Sequence, residues 1–108
     1  MFVSISKLAI GSWSPKQFGE AISFIDPGDD IMDLPYPEIL PTMGSNEIER
    51  LVDNTLKVIA DLKPSVVNIE GDNVFCHKLV KALASTDIIC IEGSYTDNGE
   101  FCQFRLYN

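Results

Sequence analysis

Short apolar segments alternate with longer segments of helical periodicity in this chain, and this alternation constrains the fold more than any other feature. The apolar segments are 2–6, 31–35, 65–71 and 87–93. Most of them are rich in Val and Ile, which favours β-strands. Because strands that alternate with helices are joined by crossovers, we expect a mostly parallel sheet with helices on both faces.

The three intervening segments carry helix signals. Ser14 precedes Pro15, and Gln17 lies three residues after Ser14. This is the pattern of an N-cap, a proline at the first helical position and a capping box. The periodicity predicts three helices, over about 15–24, from Ser45 or Asn46 to Lys63, and over 72–85 with Asp72 or Asn73 as its cap.

The first predicted helix has an apolar stripe at helical spacing, which we expect to face the sheet. This stripe consists of Phe18, Ala21, Ile22 and Ile25.

The end of the chain has a different pattern. Asn98-Gly99 is a strong β-hairpin signal, and the residues that follow it alternate along 100–108. We predict a last strand there that pairs antiparallel with the fourth strand and forms an edge of the sheet. One face of this strand would carry Cys102, Phe104 and Leu106, and the other Phe101, Gln103, Arg105 and Tyr107.

Together these elements predict the order β-α-β-α-β-α-β-β. Right-handed crossovers limit the topologies that fit this order. We predict the spatial strand order 2-1-3-4-5, with strand five antiparallel. This is a three-layer, Rossmann-like α/β fold, and a length of 108 residues suits a single domain over 1–108.

The net charge of −8 excludes some classes of partner. No basic residue occurs over 17–49, where eight acidic residues lie. Such a field repels polyphosphate, so we expect no binding to duplex nucleic acid and none to membranes. The charge either only confers solubility, or the 17–49 segment presents an acidic face to a basic partner. The second alternative makes the chain a non-enzymatic protein-interaction module.

The cysteines and the N-terminus predict a cytoplasmic location. Cys76, Cys90 and Cys102 form no C-x-x-C pair, which favours neither a disulfide framework nor a zinc site. The N-terminus lacks the basic start of a signal peptide, and no apolar run is long enough to span a membrane. We therefore expect a reducing, intracellular setting.

The third and fourth predicted strands end in the same way. The segments VVNIEGDN at 66–73 and IICIEGSY at 88–95 both lead into Ile-Glu-Gly. Ligands of open α/β sheets bind at the carboxyl ends of the strands, where neighbouring crossovers diverge. We expect the loops 7–17, 70–73 and 92–96 to line such a crevice. The candidate ligand-binding residues are Ser12, Trp13, Ser14, Gly71, Asp72, Asn73, Ser94, Tyr95 and Thr96.

The residues at this crevice allow several structural and chemical roles. Glycine and Asp or Asn after a strand also suit an ordinary turn and helix cap. Trp13 either stacks on a ligand ring or fastens the helix start to the core. Glu70 and Glu92 would form an acid–base pair or, with Asp72, a Mg²⁺ site. No nucleophile-elbow, Walker or G-x-G-x-x-G motif is present, so we assign no catalytic residue, cofactor or resident metal.

Four motifs, which span most of the chain, resemble those of a known family. They are GSWSPKQ at 11–17, DLPYPEILP at 33–41, NIEGDNVFCHKLVKAL at 68–83 and FCQFRLYN at 101–108. Together they resemble small Rossmann-like proteins encoded beside CRISPR systems, related in fold to the CARF sensor domain and to ring nucleases.

This resemblance implies a homodimer whose crevices face each other and bind a cyclic oligoadenylate, with cleavage of the ring in some members. Carried onto this sequence, the phosphate-contacting loops are 12–14, 71–73 and 94–96. The chain departs from the family after strand four, where EGSYTDNG at 92–99 contains no arginine.

Overall fold

The computed structural model of the chain describes residues 1–107. Five strands and three α-helices follow one another in the predicted order, and a single 3-10 turn, Ile10–Ser12, precedes the first helix. The last residue of the predicted fifth strand, Asn108, lies outside the described residues. The elements are β1 (Phe2–Ile5), α1 (Pro15–Ile22), β2 (Ile31–Leu34), α2 (Ser45–Leu62), β3 (Val66–Ile69), α3 (Asn73–Leu83), β4 (Ile89–Tyr95) and β5 (Phe101–Leu106).

The strands form one sheet in the order β2-β1-β3-β4-β5, which confirms the predicted α/β topology. At its centre, Phe2 of β1 pairs with Ile31 of β2 and with Val66 of β3, both in parallel. Only β4 and β5 pair antiparallel. The carboxyl ends of β1 and β3 are therefore neighbours at one edge of the sheet, and their crossovers leave in opposite directions there.

Each face of the sheet has its own apolar core, because β1 and β3 are buried on both sides. Helices α2 and α3 cover one face, and α1 covers the other. Alternate residues of a strand therefore enter different cores. The α2/α3 core contains Val3, Ile5, Ile48, Val52, Ile59, Val67, Ile69, Phe75 and Leu79, and the α1 core contains Phe2, Ala21, Val66, Ile91 and Phe104.

Helix α1 turns only part of its predicted apolar stripe to the sheet, since Ala21 is buried and Ile25, just beyond the helix, packs against the α1 core. Gln17 and Ala21 are buried, whereas Phe18 and Ile22 are 41% and 45% exposed. The cause is a specific polar contact, since the Gln17 side-chain amide donates to the Tyr95 hydroxyl oxygen at 2.9 Å. The prediction that Phe18 and Ile22 face inward is therefore wrong.

Strand β4 runs to Tyr95, two residues beyond its predicted end. Its pairing with β5 contains a bulge, because Ser94 pairs with Gln103 but Tyr95 pairs with Phe101. A bulge places one extra residue in a strand and changes which face the following side chains take. Phe101 consequently lies on the same face as Phe104, with ring centroids 4.9 Å apart, and the predicted alternation of β5 fails at this end.

The proline-rich segment 35–44 contains neither helix nor strand. Tyr36 is not a free surface residue, because its ring packs edge-on against Phe75 at 5.8 Å and its hydroxyl oxygen accepts from the Asp72 amide at 2.7 Å. Within residues 1–107, no helix combines the length and the apolar character that a membrane crossing requires.

Candidate functional site at the carboxyl edge of the sheet

Strands β3 and β4 are parallel neighbours, so both Ile-Glu-Gly segments lead to the same edge of the sheet. The two copies are not level with each other. Asn68 pairs with Ile91, and the first copy therefore begins one residue further along the sheet than the second. Because successive side chains point to opposite faces, this offset of one residue sends Glu70 and Glu92 to opposite faces.

The Glu70 carboxylate lies on the α1 face. The Tyr95 hydroxyl donates to its Oε1 at 2.9 Å, and the Gly93 amide donates to its Oε2 at 3.1 Å. Tyr95 in turn accepts from Gln17 of α1. This bonding ties the ends of β3 and β4 to the first turn of α1.

The Glu92 carboxylate lies on the α3 face. Its Oε2 is 3.3 Å from the Tyr107 hydroxyl, and both residues line a cleft with Cys76 and His77 of α3. A shared Mg²⁺ ion at Glu70 and Glu92 is therefore ruled out. Among residues 1–107, no group of three His, Cys, Asp or Glu side chains is placed to hold a metal ion.

Two adjoining clefts on the α1 side form what we call the carboxyl-edge groove. They share Leu8, Tyr95 and Gly99 and have volumes of about 370 and 500 Å³. Tyr95 thus stands at the middle of the groove. The first cleft is also lined by Ser6, Lys7, Glu70 and Gly71, and the second by Ser12, Ser14, Lys16, Gln17, Glu100 and Phe101.

Four of the nine predicted site residues lie in this groove. Ser12, Ser14 and Tyr95 line the second cleft together, and Gly71 and Tyr95 line the first. Ser14 is also the N-cap of α1, as predicted, because its Oγ accepts from the backbone amide of Gln17 at 3.2 Å. The side chain of Gln17 does not complete the capping box, since it reaches Tyr95 instead.

Trp13 packs in the core and does not line either cleft. Its ring meets Phe2 edge-on at 6.0 Å and lies 5.9 Å from Phe104. Of the two roles that its sequence position allows, the observed packing is that of a residue that fastens the start of α1 to the sheet.

The remaining predicted residues have structural contacts at the strand ends. Asp72 caps α3, where its carboxylate accepts from the Phe75 amide at 2.9 Å. Asn73 lines the cleft on the opposite face of the sheet. Ser94 donates to the Gln103 carbonyl at 3.1 Å, and the Thr96 hydroxyl accepts from the Glu100 amide at 3.1 Å, so both stabilise the β4–β5 hairpin.

Packing requires a glycine at position 71, which also lines the groove. Its φ of +144° lies in the region that disfavours side chains, and a Cβ there would collide with the Tyr36 hydroxyl. Tyr36 reaches this position because it accepts from the amide of the next residue, Asp72. The close approach at Gly71 is thus one between two parts of the chain itself.

Burial and the neighbouring Glu70 carboxylate raise the pKa of Tyr95 to about 12. The phenol is therefore protonated at neutral pH and acts as a hydrogen-bond donor to Glu70. The Tyr95 phenol therefore positions the side chains around it and is not a general base at neutral pH.

Three residues that line the groove, Lys7, Lys16 and Gln17, do not belong to the predicted ligand-binding set. Lys7 and Lys16 are two of the eight basic residues of the chain, and both line the groove. Their positions just after β1 and at the start of α1 were the available signal, because that loop meets the carboxyl edge. Gln17 was read only as a capping residue, and its buried side chain depends on a partner 78 residues away.

Comparisons with known proteins do not assign the chain to a family. No protein-family model, no curated protein and no solved structure matches the chain. What is shown is an α/β fold with a mostly parallel five-stranded sheet.

Proposed function

We propose that this chain is a nucleotide-binding module that holds its ligand in the carboxyl-edge groove. One observation supports this most strongly. In a chain of net charge −8, the groove collects Lys7 and Lys16 together with the hydroxyls of Ser12 and Ser14 around Tyr95. Ammonium groups and hydroxyl donors are the contacts that a phosphate group requires.

The charges of both lysines are available to a ligand. Neither Lys7 nor Lys16 forms an ion pair within residues 1–107. The Lys7 ammonium lies 5.7 Å from the centre of the Tyr36 ring, a cation–π distance, and the Tyr36 hydroxyl lies against Gly71 of the first cleft. The groove also contains Glu70 and Glu100, so the lysines make it neutral on balance against the acidic remainder of the chain.

The middle of the groove suits the base of a nucleotide. Tyr95 is held by Gln17 and Glu70, and its ring packs edge-on against Phe101 at 5.9 Å. Leu8, which lines both clefts, is 39% exposed and offers an apolar surface beside Tyr95. Rigid aromatic and aliphatic surfaces next to phosphate-binding groups are typical of nucleotide sites.

The proposal extends to a CRISPR-associated homodimer in the cytoplasm that binds a cyclic oligoadenylate. The resemblance of the four motifs supports this extension, as does a groove that is open to solvent at Leu8, where a second copy would close it. The three free thiols fit a reducing compartment. No residue is assigned to cleavage of the ring, since in-line attack by the ribose 2′-hydroxyl needs only positioning and charge stabilisation.

A thermal-shift panel tests this proposal. Cyclic tri-, tetra- and hexa-adenylate, AMP and inorganic phosphate are added to the wild type and to Lys7→Gln and Lys16→Gln. We expect at least one nucleotide to raise the Tm, and each variant to weaken its binding about tenfold or more. Lys57→Gln makes the same charge change on the exposed side of α2 and should bind like the wild type. The absence of any shift with every nucleotide would overturn the proposal.

The same samples answer two further questions. Chromatography of the nucleotide after incubation shows whether the ring is cleaved or only bound. Light scattering with and without the ligand measures whether the complex contains two copies of the chain.

The alternative function, an acidic protein-interaction module, is favoured by the outer side of α1. Phe18 and Ile22 are exposed there and border a shallow groove of about 270 Å³, which is rimmed by Asp26, Asp29 and Asp30. An exposed apolar strip with an acidic rim fits a partner segment that combines apolar and basic residues. Asp33 does not belong to this surface, because its carboxylate accepts from the Ile10 amide at 3.2 Å.

Recovery of a partner from the host separates the two functions. Wild-type chain and the pair Phe18→Ser/Ile22→Ser are used as bait, and we expect a basic protein to be retained only by the wild type. Asp26→Asn with Asp30→Asn should weaken retention and reduce its dependence on salt. Equal recovery by all baits would contradict the interaction function.

A further inference from the structure

A further cleft lies on the opposite face of the sheet and shares Gly71 with the carboxyl-edge groove. It has a volume of about 470 Å³ and lies between α3, Glu92 of β4 and Tyr107, the residue after β5. We call it the α3 cleft. Its polar lining side chains are Asn73, His77, Lys81, Glu92 and Tyr107.

One wall of the α3 cleft is a single side of helix α3. Asn73, His77 and Lys81 follow one another at intervals of four residues, so they form one row along the helix. Val80 and Ala84 lie beside this row and line the same cleft with apolar surface. This wall therefore offers a cation, an imidazole and an aliphatic contact side by side.

The other wall carries the Glu92 carboxylate, which has no short hydrogen bond from a donor within residues 1–107. The Tyr107 hydroxyl has one hydrogen, and it donates to the Ile69 carbonyl at 2.6 Å, whereas Glu92 Oε2 is 3.3 Å away. The shorter contact takes the proton. Arg105 lies opposite Glu92 on β5, yet within residues 1–107 the two form no ion pair.

Lys81 and Glu92 thus face one cleft with opposite charges and are not paired with each other. Cys76 also lines the cleft and is neutral, because burial raises the pKa of its thiol to about 11. Unpaired opposite charges across a concave, partly apolar space are complementary to a ligand that carries both charges itself.

We propose that the α3 cleft binds a small zwitterion, an α-amino acid with a short aliphatic side chain. Its carboxylate meets Lys81 and His77, its ammonium group meets Glu92, and its side chain lies against Val80 and Ala84. This site lies on the opposite face of the sheet from the carboxyl-edge groove, although Gly71 lines both, and it does not depend on nucleotide binding in the groove.

Valine and two matched fragments test the proposal. Isobutylamine is valine without its carboxylate, and 3-methylbutanoate is valine without its ammonium group. Each is titrated into ¹⁵N-labelled chain with assigned amide resonances. We expect valine to shift the amides of Asn73, His77, Lys81 and Tyr107, and each fragment to bind about tenfold more weakly or worse, because it leaves one charge unmatched.

Substitutions complete the test. Lys81→Gln and Glu92→Gln should each weaken valine binding about tenfold, whereas Lys78→Gln, on the same helix but paired with Glu49, should leave it unchanged. The dispersion of the amide spectrum reports whether each variant is folded. Valine binding that is equally strong in all variants, shifts that fall in the carboxyl-edge groove, or no shift up to the solubility limit would each overturn the proposal.

Discussion

The Tyr95 hydroxyl donates to the Glu70 carboxylate at 2.9 Å and thereby joins the end of β4 to the end of β3. The same oxygen accepts from Gln17, so one side chain connects both strands to α1. These three side chains form the floor of the carboxyl-edge groove. A rigid floor is what a binding site at a strand edge requires, because it fixes the positions of the flexible lysines around it.

Removal of the Tyr95 hydroxyl should destabilise the fold. Tyr95→Phe leaves the buried side-chain amide of Gln17 without its acceptor and the Glu70 carboxylate without one donor. We therefore expect a loss of about 1–3 kcal/mol in the free energy of unfolding. Urea denaturation measures this loss. A double-mutant cycle with Glu70→Gln isolates the bond between the two side chains, and a coupling energy near zero would contradict its role.

The tyrosine phenols should ionise at a higher pH in the folded chain than in the unfolded chain. Burial and Glu70 raise the pKa of Tyr95 from 10.0 to about 12, and burial also raises the pKa of Tyr36 and of Tyr107. Between pH 10 and 12 the folded state thus binds more protons than the unfolded state, so stability is retained below pH 10 and falls as the pH rises through this window. The ultraviolet spectrum of phenolate, recorded in native buffer and in urea, measures the difference. Coincident titration curves would contradict it.

Gly71→Ala should strongly destabilise the folded state. The φ of +144° disfavours a side chain, and the added Cβ would collide with the Tyr36 hydroxyl, so we expect a loss of about 1–3 kcal/mol or more. Gly19→Ala is the matched control, because it lies within α1 and has open space around it. This control should gain about 0.5–1 kcal/mol from helix propensity. Thermal unfolding of both variants gives the comparison, and equal stability of the two would show that Gly71 is not constrained.

The three thiols should differ in reactivity. Cys76 and Cys90 are 6% and 3% exposed, and burial raises the pKa of both, so neither forms the reactive thiolate readily. Cys102 at the β5 bulge is half-buried and should react first. Iodoacetamide labelling followed by mass spectrometry should find one fast site, which Cys102→Ser abolishes. Fast labelling of Cys76 or Cys90 would contradict the protection that their burial provides.

The strand order was predictable because it depends on local patterns. Alternating apolar runs, the caps at Ser14 and Asp72, and the Asn98-Gly99 turn each act over a few residues, and crossover handedness then restricts the arrangement. The bulge at Ser94 and Tyr95 was not predictable, since it arises from the pairing of two strands. The orientation of α1 was not predictable either, because Phe18 gives the stronger apolar signal while Gln17 has the buried partner.

The meeting of the loops at one edge of the sheet was predictable, but its detail was not. The repeated Ile-Glu-Gly correctly marks two strands that end at one edge, yet it suggests that Glu70 and Glu92 are equivalent. Their separation depends on a register offset of one residue, and no local pattern in either strand encodes that offset. The sequence places the loop 7–17, with Lys7 and Lys16, at this edge, but no local pattern shows that both lysines line one groove with Tyr95.

An NMR titration with the nucleotide that raises the Tm most is the direct test of nucleotide binding in the carboxyl-edge groove. We expect the largest amide shifts at Ser12, Gln17 and Tyr95, and we expect Lys7→Gln with Lys16→Gln to reduce both these shifts and the affinity. Shifts that cluster elsewhere in the chain, or a spectrum that the nucleotide leaves unchanged, would contradict it.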